Sequence, residues 1–363
     1  MKFRPPPMQP AFSGTGHLVV WIAALAAILL SPILTALVVS PETRYLVMSK
    51  RVGPSDWHTN QILKDKGPLD ILVLGNSRML TAIDHEALRE NVQEPDGPLK
   101  SETIAARFNG FDLSYTFLRD FFAHRHARLV VINYPDIPQI DNHPGEKYIR
   151  RFGQPDPGLE IKRPALAVTN YAEMALIGPR LALASVIRPG SITRQGYRTM
   201  EDFPDYEKTR GSYTPDDGYE ESKNSPRAAF ARYDSPINPH PAIIIRPGAA
   251  LPPGVVLTDK ALTPIESAYL PAIKALCEKN GALLALMTLP TATSQGPIEI
   301  SSQVLALGVP IIAASTESMF GNIPIERIKE NYFDHLHFNS NGARRSAQVY
   351  GPALQTLLQQ TLD

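Results

Sequence analysis

The chain has 363 residues, of which 43% are hydrophobic and 20% are charged, and its formal net charge is zero. This is the composition of a globular protein that is long enough for one large domain or two small ones. A neutral chain lacks the basic excess typical of nucleic-acid-binding proteins, so no nucleic-acid partner is predicted. The single cysteine, Cys277, excludes an intrachain disulfide, and a small buried hydrophobe is its simplest interpretation.

An apolar stretch without charged residues runs from residue 18 to residue 39. As a helix at about 1.5 Å per residue it measures roughly 33 Å, which is enough to cross a bilayer core. A cleaved signal peptide is the alternative, but its apolar region is usually about 7–15 residues long. No small-x-small cleavage site stands out before Pro41, so the pattern favours a retained signal-anchor.

The predicted location is the cytoplasmic (inner) membrane, which the chain crosses once. Basic residues flank the apolar stretch almost equally on its two sides, so charge gives little information on orientation. Because residues 1–17 form only a short tail, we predict that this tail stays in the cytoplasm. The large domain is then extracytoplasmic, in the periplasm or its equivalent.

After a polar connector at residues 40–68, short apolar strands alternate with helices in one domain, residues 69–363. The predicted strands cover residues 69–74, 103–108, 128–133, 282–288 and 309–313, and the predicted helices cover residues 81–90, 114–126, 164–186, 263–279, 302–307 and 342–360. The alternation fails from about residue 140 to 260, where the composition indicates an irregular insertion or cap. The pattern predicts the α/β class, with a parallel five-stranded sheet that is covered on both faces.

Several polar residues and turn glycines follow the ends of predicted strands. Ser77 comes after the first strand, Gly110 after the second and Asn133 after the third. In open parallel sheets the chemistry gathers at the carboxyl ends of the strands. Residues that are distant in sequence are therefore predicted to share one rim.

A nucleophile and a base are suggested by two short segments. Ser77 stands in an exposed turn made possible by Gly75, and a serine hydroxyl needs a base and oxyanion donors to react. Asp334 precedes His337 by three residues, which lets the carboxylate orient the ring while its other nitrogen serves as the base. His335 is a rival base, but it is adjacent to Asp334. The alternatives are that Ser77 only begins the next helix and that the acidic segment is a solvated turn.

These segments resemble the motifs of the SGNH/GDSL hydrolases. The Gly-Asn-Ser-Arg of residues 75–78 is similar to the family's Gly-Asp-Ser block, and Asp334-x-x-His337 is similar to its terminal Asp-x-x-His block. The resemblance covers about residues 69–135 and 263–360. Asn76 replaces the usual acidic residue, and the family's Gly-x-Asn-Asp block is missing. The resemblance implies a three-layer, flavodoxin-like fold behind one N-terminal transmembrane helix.

The resemblance also implies roles for individual residues. Ser77 would be the nucleophile, His337 the base and Asp334 the orienting carboxylate. The backbone N–H groups of Ser77 and Gly110 would bind the oxyanion, with Asn133 as a further donor. For Asn133 the alternative is an amide that satisfies its own loop before a proline, and for Gly110 it is a simple turn glycine.

The N-terminal anchor, the arginine after the serine and the missing third block are similar to one branch of the family. That branch contains membrane-anchored envelope proteins that work beside membrane-bound O-acyltransferases, as in alginate acetylation or teichoic-acid alanylation. The resemblance implies a serine esterase or O-acyltransferase acting on acetyl-type esters of a cell-envelope or exported polysaccharide, with a membrane-bound O-acyltransferase as partner. No cofactor or metal is predicted, since His124 and His126 lack further ligands at suitable spacing. The alternative is a non-catalytic SGNH-like module that binds a glycan or an acyltransferase.

Overall fold

The computed structural model describes most of the chain. It describes residues 14–52, 56–95, 97–106, 110–151, 157, 164–187, 240–294, 296–321, 325–332 and 334–361. The strands are β1 (Leu69–Gly75), β2 (Ser101–Ala105), β3 (Ala127–Asn133), β4 (Ile243–Ile245), β5 (Val255–Thr258), β6 (Leu283–Met287), β7 (Ile298–Ser301) and β8 (Ile311–Ala313).

The helices precede, separate and follow these strands. They are α1 (Thr15–Val38), α2 (Pro41–Val52), α3 (Asp56–Thr59), α4 (Ser77–Ala82), α5 (His85–Asn91), α6 (Phe111–Phe122), α7 (Glu146–Ile149), α8 (Pro164–Ile187), α9 (Pro264–Lys279), α10 (Ser302–Leu305), α11 (Thr316–Phe320), α12 (Ile325–Ile328) and α13 (Ser340–Gln359). A π-helical turn, Asn60–Lys64, continues α3, and a 3-10 turn, Lys329–Asn331, continues α12.

One mostly parallel sheet organises the domain, which confirms the predicted α/β class. Its strand order is β2-β1-β3-β6-β8-β4. The first five strands are parallel, and β4 is antiparallel to β8 at the edge. The predicted count of five strands is wrong, because the sheet has six. The sixth strand, β4, lies within the predicted insertion, and its three residues are too few to show a strand periodicity. Strands β5 and β7 form a separate parallel pair.

The sheet is buried on both faces. Leu72 and Leu74 of β1 belong to one apolar cluster, which includes side chains of α6 and α9. Ile71 and Val73 belong to a second cluster, which includes side chains of α5 and α13. Because successive side chains of a strand point to opposite faces, one apolar strand contributes to both clusters. The result is a helix–sheet–helix arrangement that brings the carboxyl ends of the parallel strands to one rim.

Some helix boundaries differ from the predicted ones. The helix predicted at residues 81–90 is two helices, α4 and α5, and α5 begins where the Asp84 carboxylate accepts from the N–H of Ala87 at 3.0 Å. The helix predicted at residues 114–126 begins and ends earlier, as α6. Residues 107 and 108 of the second predicted strand lie outside the described residues, as do 1–13 of the tail and 188–239 of the insertion.

The N-terminal part of the chain contains a long apolar helix and a helical segment that packs on the domain. Within the described residues, α1 is the one helix that is long and apolar enough to cross a membrane. The predicted connector is largely helical, and Tyr45, Met48 and Ile62 are buried in the first apolar cluster. The spacing of its apolar residues is interrupted by Gly53 and Pro54, so the sequence shows no continuous amphipathic pattern.

His58 gives this packed segment a measurable dependence on pH. Its side chain is fully buried, with the ring centroid 5.1 Å from that of Phe117. Burial lowers the pKa of His58 from 6.5 to about 3, against the opposing effect of a hydrogen bond with the backbone of Ala105. Below pH 6.5 the unfolded chain therefore binds a proton that the folded chain does not, and the folded state loses stability as the pH falls.

We expect the free energy of unfolding to fall by about 2 kcal/mol between pH 6.5 and 5 because of His58 alone. The His58→Gln variant should show a smaller dependence on pH in urea unfolding followed by circular dichroism at pH 7 and pH 5. His124→Gln, at an exposed position, is the control and should keep the wild-type dependence. An identical dependence in wild type and His58→Gln would show that His58 is accessible to protons in the folded state.

Candidate active site

Ser77 lies at the carboxyl end of β1, in the first turn of α4. The strand ends at Gly75, and the Asn76 side chain accepts from the N–H of Arg78 at 3.0 Å, which begins the helix. A Cβ atom on Gly75 would lie 2.5 Å from Met79 Cγ and 2.8 Å from the side-chain oxygen of Asn133. Only glycine therefore fits this approach of α4 to the strand. Ser77 does begin the helix, and it also presents its hydroxyl at the rim.

Asp334 and His337 form one tightly bonded loop between the 3-10 turn and α13. Asp334 Oδ1 accepts from the backbone N–H groups of Leu336 and His337, each at 2.7 Å. Asp334 Oδ2 lies 2.7 Å from Nδ1 of His337, and both side chains are buried. Asn339 then caps α13 by accepting from the N–H of Gly342 at 3.1 Å. The loop and the helix cap together hold the imidazole ring in place.

The decisive contact joins this loop to the first strand. Nε2 of His337 lies 2.7 Å from Oγ of Ser77, although the two residues are 260 positions apart in sequence. An ionised carboxylate only accepts hydrogen bonds, so the Nδ1 that faces Asp334 carries the ring proton. Nε2 is then the acceptor for the Ser77 hydroxyl. His335, the rival base, is exposed.

The carboxylate of Asp334 is held in its ionised form. Burial by itself raises the pKa of Asp334, but the hydrogen bonds from the His337 ring and from the N–H groups of Leu336 and His337 outweigh that effect. The pKa of Asp334 therefore lies below its ordinary value of 3.8. Asp334 is thus a charged acceptor at neutral pH, which keeps the ring in the tautomer that leaves Nε2 free.

Of the predicted oxyanion donors, Asn133 is the last residue of β3, and Gly110 lies between β2 and α6. Gly110 is the N-cap residue of α6, and a Cβ atom there would lie 2.1 Å from the amide nitrogen of Gln139. Asn133 ends β3 with its side-chain oxygen against Gly75, and its amide donates a long hydrogen bond of 3.4 Å to the carbonyl of Tyr134. The structure therefore brings His337 into contact with both Ser77 and Asp334, and it puts the Asn133 side chain beside Gly75, at the end of the strand that precedes Ser77.

Gln139 holds the Gly110 turn, and the sequence analysis did not identify it. Its side-chain oxygen accepts from the N–H of Phe111 at 2.7 Å, and its amide donates to the buried carboxylate of Asp112 at 2.6 Å. Its own N–H donates to Glu266 at 3.0 Å. Gln139 lies in a proline-rich loop without periodicity, and no sequence signal could have linked it to the turn 28 residues earlier.

If Gly110 is an oxyanion donor, Gln139 is a positioning residue for it. We expect Gln139→Ala to lower kcat for an acetyl ester by about 10-fold to 100-fold. A small displacement of an oxyanion donor weakens its hydrogen bond to the transition state and so lowers the rate strongly, even where the stability of the fold changes little. The matched control is Gln303→Ala, whose side chain also accepts from a backbone N–H, that of Leu262, but on another loop. Equal kcat values for Gln139→Ala and Gln303→Ala would show that Gln139 does not position a catalytic group.

A cavity of about 400 Å³, with both polar and apolar side chains in its wall, opens on the same rim. Its wall contains Arg78 and Leu336, the sequence neighbours of Ser77 and His337. Arg78 is buried, pairs with Asp136 and donates to the carbonyl of Leu289. It therefore links α4 to two neighbouring loops instead of lying on the surface. The cavity therefore lies next to the residues that flank the serine and the histidine in sequence, while Ser77 and His337 themselves are not part of its wall.

No protein-family model, no curated protein and no solved structure matches the chain. Across the described part of the chain, no group of three His, Cys, Asp or Glu side chains could hold a metal ion.

Proposed function

We propose that this protein is a membrane-anchored serine esterase or O-acyltransferase of the SGNH/GDSL type, with Ser77, His337 and Asp334 as its catalytic triad. The observation that carries the proposal is the pair of 2.7 Å contacts that His337 makes, through Nε2 with Ser77 and through Nδ1 with Asp334. A base in contact with a hydroxyl and oriented by a third group is the arrangement that activates a serine.

The proposed reaction has two steps. Oγ of Ser77 attacks the ester carbonyl while His337 Nε2 takes its proton, and the oxyanion accepts from the N–H groups of Ser77 and Gly110, with Asn133 as a further donor. The tetrahedral intermediate collapses, and the leaving alcohol takes the proton from His337. Water or a sugar hydroxyl, deprotonated by His337, then attacks the acyl-serine and frees Ser77 with a carboxylic acid or a new ester as product.

The sheet topology supports the family assignment. Counted in chain order, the five parallel strands follow the order 2-1-3-4-5. This is the flavodoxin-like order of doubly wound sheets, in which ligands bind outside the carboxyl ends of the strands. Ser77 and His337 meet at that rim, which supports the proposed triad.

The proposed substrate is an acetyl-type ester of a cell-envelope or exported polysaccharide, and the proposed partner is a membrane-bound O-acyltransferase. The hydroxyl side chains in the cavity wall suit a sugar: Thr258, Thr288, Thr291, Ser294 and Thr316. With α1 as the anchor and the preceding tail in the cytoplasm, the domain faces the envelope. A reporter fused after Asp363 that is active only in the cytoplasm would contradict this orientation.

A non-catalytic SGNH-like module is the competing function. It is favoured by Asn76, which stands where the family has an acidic residue, and by the Asn133 amide, which donates to its own loop. A binding module needs no reactive serine, whereas an acyl-enzyme mechanism does. Reactivity of Ser77 therefore separates the two functions.

The test is covalent labelling of the full chain in detergent with a fluorophosphonate, followed by peptide mass spectrometry, together with turnover of p-nitrophenyl acetate. We expect one adduct, on Ser77, and saturable turnover. The control is the same chain unfolded in urea, in which Ser77 has lost His337 and should not react. Absence of both label and turnover in the folded chain, or an adduct on a different serine, would favour the binding module.

A further inference from the structure

The cavity beside the candidate site is bounded by the rim of the sheet and by the β5–β7 pair. Tyr134, Thr288 and Ala314 of its wall come directly after β3, β6 and β8. Thr258 and Glu299 of its wall belong to the separate β5–β7 pair. Ligands of open parallel sheets bind outside the carboxyl ends of the strands, so the cavity lies where a ligand is expected. The β5–β7 pair adds a wall that the sheet alone does not provide.

Hydrogen bonds fasten the β5–β7 pair to the loop that follows β3. The N–H of Ser301 donates to the hydroxyl oxygen of Tyr134 at 2.6 Å, and both residues are buried. The Ser301 hydroxyl donates to the carbonyl of Lys260 at 2.6 Å, and Nζ of Lys260 donates to the carbonyl of Asp136 at 2.6 Å. This part of the wall is therefore held by the protein itself, and a ligand would not have to order it on binding.

The size of the cavity suits the alcohol part of an ester better than its acetyl part. A volume of about 400 Å³ lies within the range of small-molecule sites, about 300–1,000 Å³. An acetyl group would fill only a small fraction of it, whereas a sugar unit is several times larger. Arg78 and Leu336 of the wall are the sequence neighbours of the proposed nucleophile and base. A sugar held in the cavity would therefore be close to the reacting ester.

The charged side chains of the wall favour an uncharged ligand. Arg78 is only 4% exposed, pairs with Asp136 and donates to the carbonyl of Leu289. The ammonium group of Lys260 is bonded to the backbone of the loop after β3. Both cations of the wall are thus already bonded to protein oxygens, whereas the carboxylate of Glu299 is exposed. A ligand carboxylate or phosphate would be repelled by Glu299 and would have to displace existing partners of the cations.

The neutral part of the wall combines hydroxyl groups with aliphatic surface. The hydroxyls of Thr291 and Ser294 lie 2.7 Å apart, and the hydroxyl of Thr316 donates to the carbonyl of Ser294 at 2.7 Å. A hydroxyl that donates one hydrogen bond can still accept, so these groups can bind ligand hydroxyls. Leu289 and Ile298 supply aliphatic surface in the same wall. Hydroxyls and aliphatic C–H faces are also the two kinds of surface that a sugar presents.

We propose that the cavity binds an uncharged sugar unit of the ester substrate, beside the unit that carries the acyl group, and that the β5–β7 pair sets this preference. The proposal rests on the proposed esterase or acyltransferase function and names its substrate class. A neutral glycan is then a better substrate than a glycan of uronic acids or sugar phosphates. Because β5 lies within the predicted insertion at about residues 140–260, the proposal also gives part of that insertion a role.

The test compares three acetyl esters as substrates of the full chain in detergent. They are p-nitrophenyl acetate, chemically O-acetylated maltohexaose, which is neutral, and chemically O-acetylated hexagalacturonate, which is anionic and has the same chain length. Thr258→Trp fills part of the cavity from β5. Leu257→Trp is the matched control, because Leu257 is the exposed neighbour on the same strand and lies outside the wall. Release of acetate or p-nitrophenol gives kcat/KM for each ester.

We expect wild-type kcat/KM to be about 10-fold or more higher for the neutral oligosaccharide than for the anionic one. Thr258→Trp should lower the neutral value by about 10-fold or more, because the side chain occupies the space of the sugar. Its turnover of p-nitrophenyl acetate and its phosphonate labelling should stay unchanged, which reports that the triad is folded. Leu257→Trp should behave as wild type. Equal kcat/KM for the neutral ester in the two tryptophan variants would overturn the proposal.

Glu299→Lys tests the charge of the wall without filling the cavity. We expect this variant to raise kcat/KM for the anionic oligosaccharide by about 5-fold at low salt and by less in 0.5 M NaCl, because salt screens the new attraction. No rise would show that the wall charge does not set the preference, which would overturn the choice of a neutral sugar.

Two further outcomes separate this proposal from the proposed function. Wild-type turnover of p-nitrophenyl acetate with a preference for the anionic oligosaccharide, or with turnover of neither oligosaccharide, would overturn the neutral-sugar site while the triad stands. Absence of p-nitrophenyl acetate turnover and of phosphonate labelling in the wild type would overturn the proposed function, and the sugar site of an enzyme would fall with it.

Discussion

Ser77→Ala is expected to lower acetyl-ester turnover by about 10³-fold or more and to abolish phosphonate labelling. The variant keeps His337 and Asp334 in contact but removes the only atom that can form the acyl-enzyme in the proposed mechanism. The hydroxyl makes one hydrogen bond, with Nε2 of His337, so its removal should change the free energy of unfolding by only about 1 kcal/mol. A large loss of rate in a folded protein is therefore the signature of a nucleophile.

The measurement is kcat/KM for p-nitrophenyl acetate, together with the thermal unfolding midpoint. Ser267→Ala is the matched control, because Ser267 is exposed on α9 and alanine is tolerated in a helix. Unchanged turnover in Ser77→Ala would assign the activity to another group and leave the contact with His337 as a structural hydrogen bond.

Asp334→Asn is expected to lower kcat by about 10²-fold to 10⁴-fold while leaving the loop largely intact. The asparagine oxygen can still accept from the N–H groups of Leu336 and His337. Its amide nitrogen, however, presents a donor to Nδ1 of His337, which then has to be the unprotonated ring nitrogen. Nε2 would carry the proton and could not accept one from Ser77.

The comparison with Asp334→Ala separates orientation of the ring from support of the loop. Alanine removes the side-chain oxygen that accepts from the N–H groups of Leu336 and His337, as well as the charge. This variant should therefore lose activity, and it should lose about 1–3 kcal/mol of stability because the buried N–H groups are left unpaired. Steady-state kinetics and thermal unfolding of both variants provide the test. If Asp334→Asn keeps wild-type kcat, the carboxylate does not set the tautomer of His337, and the triad assignment loses its third member.

The fold class follows from local sequence patterns. The apolar run before Gly75 is buried on both faces of the sheet and is therefore apolar at every position, which marks a parallel strand even without the structure. The start of α9 is also encoded locally, since Thr263 and Glu266 form a capping box there. Strand β4 was missed because three isoleucines between prolines have no pattern of their own, and they become a strand only beside β8.

The candidate site was predictable where its geometry is local. Asp334 and His337 are three residues apart, so the carboxylate and ring can meet within one turn of chain. Ser77 could be placed on the same rim because its position at a strand end is a property of the local sequence. Gln139 could not be found in this way, since three of its hydrogen bonds join it to residues that are 27 to 127 positions away in sequence.

By itself, the sequence determined the α/β class, the apolar N-terminal helix, and the candidate serine, histidine and aspartate. These features depend on hydrophobic periodicity and on short spacings between residues, both of which are visible in the sequence. Only the tertiary structure decided that Nε2 of His337 meets Oγ of Ser77, that the sheet takes a sixth strand, and that β5 and β7 line one cavity with Arg78 and Leu336. Each of these is a contact between segments that are distant in sequence. Such contacts arise because packing of the two apolar clusters sets the relative positions of the helices and strands, and the local sequence of one element does not specify its partner.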